Sequence, residues 1–165
     1  DRRRVGVDEM LRGWIPLIER LSDSNPELRV MFTGSPIRHL RDGAHENQLS
    51  KSVLLLFVDE LCRMYPDRCI YFPSYEIVMD ELRDYRFYTE DMLHISPQGI
   101  EYIWEKFQSL YMTSATEAWM KRIDKINKTL LHRPTDPDSS AYQELMKKTA
   151  QERERLEREL SISFS

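Results

Sequence analysis

The sharpest chemical pattern in the sequence is a carboxylate and an imidazole three residues apart, Asp91 and His94, shortly before Ser96-Pro97. On one tight loop this spacing lets the carboxylate accept a hydrogen bond from the imidazole Nδ1–H. Such a bond fixes the tautomer and stabilises the imidazolium that forms when Nε2 takes a proton from a nucleophile. The pattern indicates a general base oriented by an acid. A side-chain bond that only shapes the loop is the alternative.

A second polar segment, residues 34–47, follows the first predicted strand. Ligands in open α/β sheets bind beyond the carboxyl ends of the strands, so this loop and residues 73–96 are the places to look for a site. The candidates for substrate binding in it are Ser35, Arg38, His39, His45 and Asn47. Arg38 either faces an anion or binds backbone carbonyls, and the second interpretation is favoured.

Ser35 superficially suggests an exposed nucleophile after a strand, in Gly34-Ser35-Pro36. The Gly-x-Ser-x-Gly elbow is absent, however, and Pro36 lacks the N–H that the residue after the nucleophile contributes to an oxyanion hole. A turn that ends the strand is the favoured interpretation. The histidines and acids of the same loop match no usual zinc spacing, so neither a metal nor a cofactor is expected.

The elements that must position these residues alternate between helix and strand. Apolar residues at helical spacing predict helices over 7–21 and 48–65, the first kinked or split by Pro16, and short apolar runs predict strands over 28–33 and 69–72. This order predicts a parallel sheet covered by helices, with the two strands adjacent or nearly so. The expected fold class is α/β.

The C-terminal third of the chain is predicted to be helical. Ser96-Pro97 predicts a helix start, and the period continues to Leu131 with a break near Thr113-Ser114. A Pro-rich linker and a charged helix with a thin apolar stripe follow. We therefore expect an α/β domain portion over 1–133, and over 134–165 a linker and a helix that packs on it.

Composition excludes several classes of function. The 165 residues are 41% hydrophobic with a net charge of −4, which fits one domain and gives no basic surface for nucleic acid. No apolar run approaches the roughly 20 residues that cross a bilayer. The two cysteines, Cys62 and Cys69, predict buried free thiols. No export signal is visible, which favours the cytoplasm. The abrupt start at Asp1 indicates missing upstream sequence, where such a signal would lie.

Several blocks of the sequence resemble the GSCFA proteins over essentially the whole chain. The most specific block consists of residues 71–76 together with residues 79–88. The others are residues 33–39, 41–47, 50–51, 91–94 and 102–107, and, towards the C-terminus, residues 132–134 and Tyr142. The family looks like a member of the SGNH/GDSL hydrolases, which have a three-layer α/β/α fold and a Ser–Asp–His centre.

The resemblance implies roles for two residues and the absence of a third. In the SGNH/GDSL hydrolases an Asp-x-x-His block before the last core helix supplies the acid and the base. Carried over, Asp91 orients His94, and His94 acts as general base and then acid. The Gly-Ser-Cys-Phe-Ala motif that names the GSCFA family, and that resembles the nucleophile block, does not occur here. The chain therefore looks like a C-terminal portion, inactive by itself.

Two functions follow as hypotheses. The first is a serine hydrolase that removes acyl groups from a carbohydrate or another small ester, with its nucleophile upstream. The second is a binding or scaffold domain that uses residues 75–88 or the C-terminal helix as its partner surface. Truncation also predicts an exposed sheet edge that promotes self-association.

Overall fold

Two short strands form the one sheet in residues 3–163, the part of the chain that this computed structural model describes. The strands β1 (Val30–Thr33) and β2 (Cys69–Phe72) are parallel, with Val30 opposite Cys69 and Thr33 opposite Phe72. Parallel strands end at the same edge of a sheet, so the loops after Thr33 and Phe72 start side by side. The predicted α/β fold with adjacent parallel strands is confirmed.

One face of this sheet is covered by α1 (Val7–Ser24) and α2 (Gly43–Met64). Ile18 of α1 and Leu61 of α2 are 1% and 0% exposed and belong to one buried cluster. The strand residues in contact with that cluster alternate along each strand, as expected for a single sheet face: Val30, Phe32, Cys69 and Tyr71. Truncation of Leu61 to alanine should cost about 2–5 kcal/mol.

The opposite face of β2 packs on elements that follow it in the chain. A short α3 (Ser74–Glu76) continues as a π-helical segment (Ile77–Glu81), and α4 (Pro97–Tyr111) comes after a longer loop. Phe72 joins Ile77, Val78 and Leu82 in a second buried cluster. Side chains of α4, among them Ile103 and Phe107, pack against this cluster. Helices therefore lie on both faces of β2, which is the layered arrangement expected.

The C-terminal part is helical, as predicted. α4 ends at Tyr111, and α5 (Ser114–Leu131) begins after Thr113, whose hydroxyl accepts a hydrogen bond from the Thr116 N–H at 3.1 Å. The predicted helix break is therefore confirmed. The last helix is α6 (Ser140–Leu160), capped by Ser139.

The chain divides into two compact units, the first ending at Phe107 and the second beginning at Gln108. In the second unit α5 and α6 pack against each other, and Arg122 joins them by ion pairs to Glu152 at 2.7 Å and Glu159 at 2.8 Å. The domain boundary expected after residue 133 falls between α5 and α6, inside this unit.

Two details differ from the expectations. The helix expected from residue 48 begins five residues earlier, at Gly43, so His45 and Asn47 lie in the first turns of α2 and not in a loop. α1 continues through Pro16 without splitting, so of the two expected effects of this proline the split is wrong and the kink stays a prediction. Apolar residues on both sides of the proline, Trp14 and Ile18, belong to the same core.

Two smaller expectations concern the membrane and the thiols. Across residues 3–163 each helix is too short or too polar to cross a membrane. Cys62 and Cys69 are free, as expected, with Cys69 buried and Cys62 half-buried. Burial raises the pKa of both thiols.

Candidate functional site

The segment from Tyr88 to Ser96, here called the Asp91 loop, is closed at its base by backbone hydrogen bonds. Tyr88 and Ile95 form an antiparallel bridge. The Thr89 N–H donates to the His94 carbonyl at 2.8 Å, and the Ser96 N–H donates to the Phe87 carbonyl at 2.8 Å. Asp91 and His94 therefore sit on a loop whose two ends are fixed to each other, immediately before α4.

A left-handed residue makes the turn inside the Asp91 loop. Met92 has φ of 59°, a region that residues other than glycine, asparagine and aspartate rarely adopt. Beyond it, the backbone N–H groups of Leu93 and His94 both donate to Asp91 Oδ1, at 2.9 and 3.0 Å. Strain of about 1–2 kcal/mol at Met92 is thus offset by hydrogen bonds to the carboxylate.

Both oxygens of the Asp91 carboxylate take part in hydrogen bonds. Its Oδ1 also accepts the Thr89 hydroxyl at 2.6 Å, and its Oδ2 lies 2.5 Å from His94 Nδ1. The Thr89 hydrogen bond, followed by those from the His94 ring and backbone, holds the pKa of Asp91 well below its usual range. The carboxylate is therefore ionised, and the ring donates its Nδ1–H to it. This is the geometry that the three-residue spacing predicts, while the catalytic role of the pair stays a prediction.

The other ring nitrogen of His94, Nε2, is available to accept a proton. The side chain is 60% exposed, and within residues 3–163 no group hydrogen-bonds to Nε2. With Nδ1–H donated to Asp91, the neutral tautomer leaves a lone pair on Nε2. This arrangement can accept a proton from a neighbouring hydroxyl and return it to a leaving group.

His94 is one of the residues that line an apolar pocket of about 480 Å³. The loop after β1 contributes Pro36 and Ile37 to its wall, and β2 contributes Phe72. The remaining lining residues come from the end of the Asp91 loop and from α4: Ile95, Ile100, Ile103, Trp104 and Phe107. His94 is the single residue of this lining with a titratable side chain.

A close approach at Gly99 holds the Asp91 loop against α4. A Cβ at this position would lie 2.5 Å from Ile95 Cγ2 and 3.2 Å from the Phe87 carbonyl oxygen. Ser96 precedes the helix, and its hydroxyl accepts the Gly99 N–H at 3.4 Å and donates to the Arg86 carbonyl at 3.2 Å. Helix α4 thus positions both His94 and the apolar wall beside it.

In the loop after β1, the polar groups of Ser35 take part in hydrogen bonds that hold a turn. The Ser35 hydroxyl accepts the Ile37 N–H at 3.3 Å, and the Ser35 carbonyl accepts the ammonium of Lys51 at 2.6 Å. Lys51 is 3% exposed, and burial lowers its pKa. Ser35 therefore lies in a turn braced by α2, which is consistent with the favoured interpretation of that motif.

The other four candidate binding residues do not line the pocket beside His94. The Asn47 side chain accepts the His39 N–H at 2.8 Å, and the Arg38 guanidinium lies 5.0 Å from the centre of the Tyr88 ring. His45 is an exposed residue of the first turn of α2. Their assignment to substrate binding stays a prediction.

Sequence reasoning missed three residues that shape this edge of the sheet. Ser74 links the two strand ends, because its hydroxyl bonds Thr33 Oγ1 at 2.5 Å and donates to the Gly34 carbonyl at 2.7 Å. The other two are Thr89, whose hydroxyl donates to Asp91, and Lys51, whose ammonium donates to the Ser35 carbonyl. Lys51 lies seven residues before the buried Val58, a spacing that puts both on one helix face and marks the lysine as buried.

Comparison with known families gives two matches along the chain. Residues 1–107 match the model of the GSCFA family, and residues 123–165 match the model described as GSCFA domain protein, C-terminal domain. The chain belongs to the GSCFA family. The predicted membership is therefore confirmed, whereas the likeness of the family to SGNH hydrolases stays a prediction.

The two matches follow the structure of this GSCFA chain. The first ends at Phe107, the last residue of the first compact unit, and contains the whole Asp91 loop and the pocket. The second covers the C-terminal half of α5 and all of α6. Searches among curated proteins and among solved structures found no match.

Proposed function

We propose that the intact GSCFA protein is a serine-type hydrolase of carboxylic esters, with His94 as general base and Asp91 as the residue that orients it. The observation that carries the proposal is the 2.5 Å contact between Asp91 Oδ2 and His94 Nδ1, together with an exposed Nε2. The nucleophile is contributed by sequence upstream of Asp1. Acyl groups on carbohydrates or on other small alcohols are the proposed substrates.

The chemistry that this pair supports is acyl transfer in two steps. His94 Nε2 takes the proton of the nucleophilic hydroxyl as its oxygen bonds to the ester carbonyl carbon, and the alcohol then leaves with that proton. A water molecule next loses a proton to Nε2 and attacks the acyl-enzyme, which releases the carboxylic acid and restores the hydroxyl. Asp91 stabilises the imidazolium present in both steps without taking its proton.

The surroundings of His94 support the proposal that the nucleophile lies upstream. Within residues 3–163 no serine, threonine or cysteine side chain hydrogen-bonds to Nε2. Ser35 is engaged in its own turn and is absent from the lining of the pocket at His94. A nucleophile that reacts comes within about 2.6–3.2 Å of Nε2, and the proposal assigns this place to a residue of another part of the intact protein.

The test is hydrolysis of 4-nitrophenyl acetate by three proteins: the intact protein, its His94→Ala variant and the present chain alone. We expect activity in the intact protein only, with the melting temperature of His94→Ala within a few degrees of the wild type. His132→Ala is the matched control, since His132 is also exposed but lies outside the pocket; it should retain full activity.

Other results would change the proposal. Undiminished activity of His94→Ala would exclude the catalytic assignment. Activity of the present chain alone would place the nucleophile within it and make Ser35 the first residue to test. Inactivity of the intact protein toward a series of esters would favour the second candidate function.

The second candidate is a binding or scaffold domain, and one surface favours it. A pocket of about 240 Å³ is lined by residues of the 75–88 segment and by Arg38. Tyr85, one of these lining residues, is 65% exposed, and exposed tyrosines are enriched where proteins bind partners. Loss of a co-purifying partner in Tyr85→Ala, with no ester hydrolysed by the wild type, would support this function instead.

A further inference from the structure

The residues that line the pocket beside His94 indicate which part of an ester, the acyl chain or the alcohol, binds in it. Three of its apolar side chains are substantially exposed: Ile37 at 37%, Ile100 at 57% and Trp104 at 38%. Phe72 and Phe107 stand edge to face at 5.3 Å, and Trp104 stacks on Phe107 at 5.4 Å, so its wall is packed aromatic surface. This wall offers hydrocarbon contact and almost no hydrogen-bonding groups.

We infer that this pocket receives the acyl chain of the substrate, so that the enzyme prefers esters of medium-chain fatty acids to acetate esters. The inference rests on the proposed function, because it assigns the pocket to the same site. Its volume of about 480 Å³ falls in the range of small-molecule sites.

The position of His94 connects the pocket to the reaction. The ester carbonyl must lie next to a nucleophile that is itself within hydrogen-bonding distance of Nε2. The first carbons of the acyl chain are bonded to that carbonyl, so they lie within a few ångströms of the His94 ring. His94 is part of the pocket wall, and the apolar surface that continues from it is formed by Ile100, Ile103 and Trp104.

The chemistry of the wall favours an acyl chain over a sugar. Each hydroxyl of a carbohydrate needs a hydrogen-bonding partner when it leaves water, and the side chains of this lining supply only the His94 ring and the indole N–H of Trp104. Each methylene of an acyl chain that leaves water strengthens binding about fourfold. The alcohol half of the ester, whether carbohydrate or not, therefore lies outside this pocket.

The experiment measures kcat/KM of the intact protein for 4-nitrophenyl acetate, butyrate and octanoate, and the binding of sodium octanoate and sodium acetate by calorimetry. We expect kcat/KM to rise at least about tenfold from acetate to octanoate, and octanoate but not acetate to bind. In Ile100→Gln the octanoate-to-acetate ratio should fall at least about fivefold, with weaker octanoate binding. Leu56→Gln, at a residue of α2 that is 60% exposed and outside the pocket, should change neither.

The outcomes separate this inference from the function on which it rests. His94-dependent hydrolysis with a flat or acetate-favouring chain-length profile would overturn the inference and keep the hydrolase. Octanoate binding that is weakened by Ile100→Gln but not by Leu56→Gln, without hydrolysis of any ester, would support the ligand and overturn the hydrolase. Neither binding nor hydrolysis would overturn both. Both residues are exposed on helices, so folding of the variants is checked by their melting temperatures.

Discussion

A loop that follows each of the two strands in the chain contains an aspartate and a histidine three residues apart, as His39 and Asp42 after β1 and in the opposite order as Asp91 and His94 after β2, and the two loops use the pair differently. In the Asp91 loop Oδ2 lies 2.5 Å from His94 Nδ1. In the loop after β1, Asp42 Oδ2 lies 4.0 Å from His39 Nδ1, which is too far for a hydrogen bond. The same residue types at the same separation thus give an oriented imidazole in one loop and a loose ion-pair geometry in the other.

The difference lies in the backbone around each pair. Left-handed Met92 directs two backbone N–H groups at Asp91, and Thr89 adds a third hydrogen bond to the same oxygen, so the carboxylate is fixed before the ring binds it. In the loop after β1, the Asn47 side chain accepts the backbone N–H of His39. This hydrogen bond holds the backbone of the loop and does not orient the His39 ring. The hydrogen-bonded carboxylate lies within hydrogen-bonding distance of the ring in the Asp91 loop, and this contact makes that pair the candidate catalytic one.

The largest expected effect comes from removing the charge of the acid. Asp91→Asn should lower kcat/KM of the intact protein for an active ester by at least about 100-fold, because an amide that donates to Nδ1 favours the wrong imidazole tautomer. Asp42→Asn is the matched control in the other loop and should stay within about twofold of wild type. If the two substitutions lowered kcat/KM equally, the Asp91 loop would have no catalytic role that the loop after β1 lacks.

A second test concerns the support of the Asp91 loop by α4. Gly99→Ala should destabilise the protein by about 1–3 kcal/mol, because the added methyl meets Ile95 and the Phe87 carbonyl. Gly13→Ala, inside α1 with no atom within 4 Å of the added carbon, should be stabilising by up to about 1 kcal/mol. Thermal melts measure both, and an unaltered melting temperature of Gly99→Ala would show that α4 does not constrain the loop closely.

The ionised state of Asp91 predicts a smaller, pH-dependent effect. Since folding lowers the pKa of Asp91, its carboxylate stabilises the fold above the pKa of an unfolded aspartate, about 3.9, and this contribution is lost as the pH falls below that value. The difference in melting temperature between wild type and Asp91→Asn should therefore shrink from pH 7 to pH 3. A difference that stays constant over this range would contradict the hydrogen-bonded carboxylate.

The smallest effect is expected at Ser35. Its hydroxyl makes one long hydrogen bond within an exposed turn, so Ser35→Ala should keep kcat/KM of the intact protein within about twofold and change its stability by less than about 1 kcal/mol. Loss of activity with a normal melting curve would make Ser35 a member of the site and reverse the contrast between the two loops.

Local patterns predicted most of the fold. Periodicity predicted the helices and both strands, and Ser96-Pro97 marked the start of α4 at the residue where it begins. The start of α2 was predicted too late, because residues 43–47 carry no apolar stripe and their helical state comes from continuity with the buried turns that follow. The burial of Lys51 was not predicted, for a related reason. A charged side chain is expected to be exposed to solvent unless it is known to lie on the buried face of its helix.

Residue order over short distances is sufficient to predict the alternation of elements, the Asp–x–x–His spacing that suits a hydrogen bond, and the resemblance to the GSCFA family. Which of the two Asp–His pairs closes could not be predicted in this way, because it depends on the backbone conformation of each loop. The apolar pocket beside His94 could not be predicted either, because it depends on contacts between distant parts of the chain. The pocket joins Ile37, Phe72 and Trp104, which are far apart in the chain, so it exists only after the strands align and α4 packs over their ends.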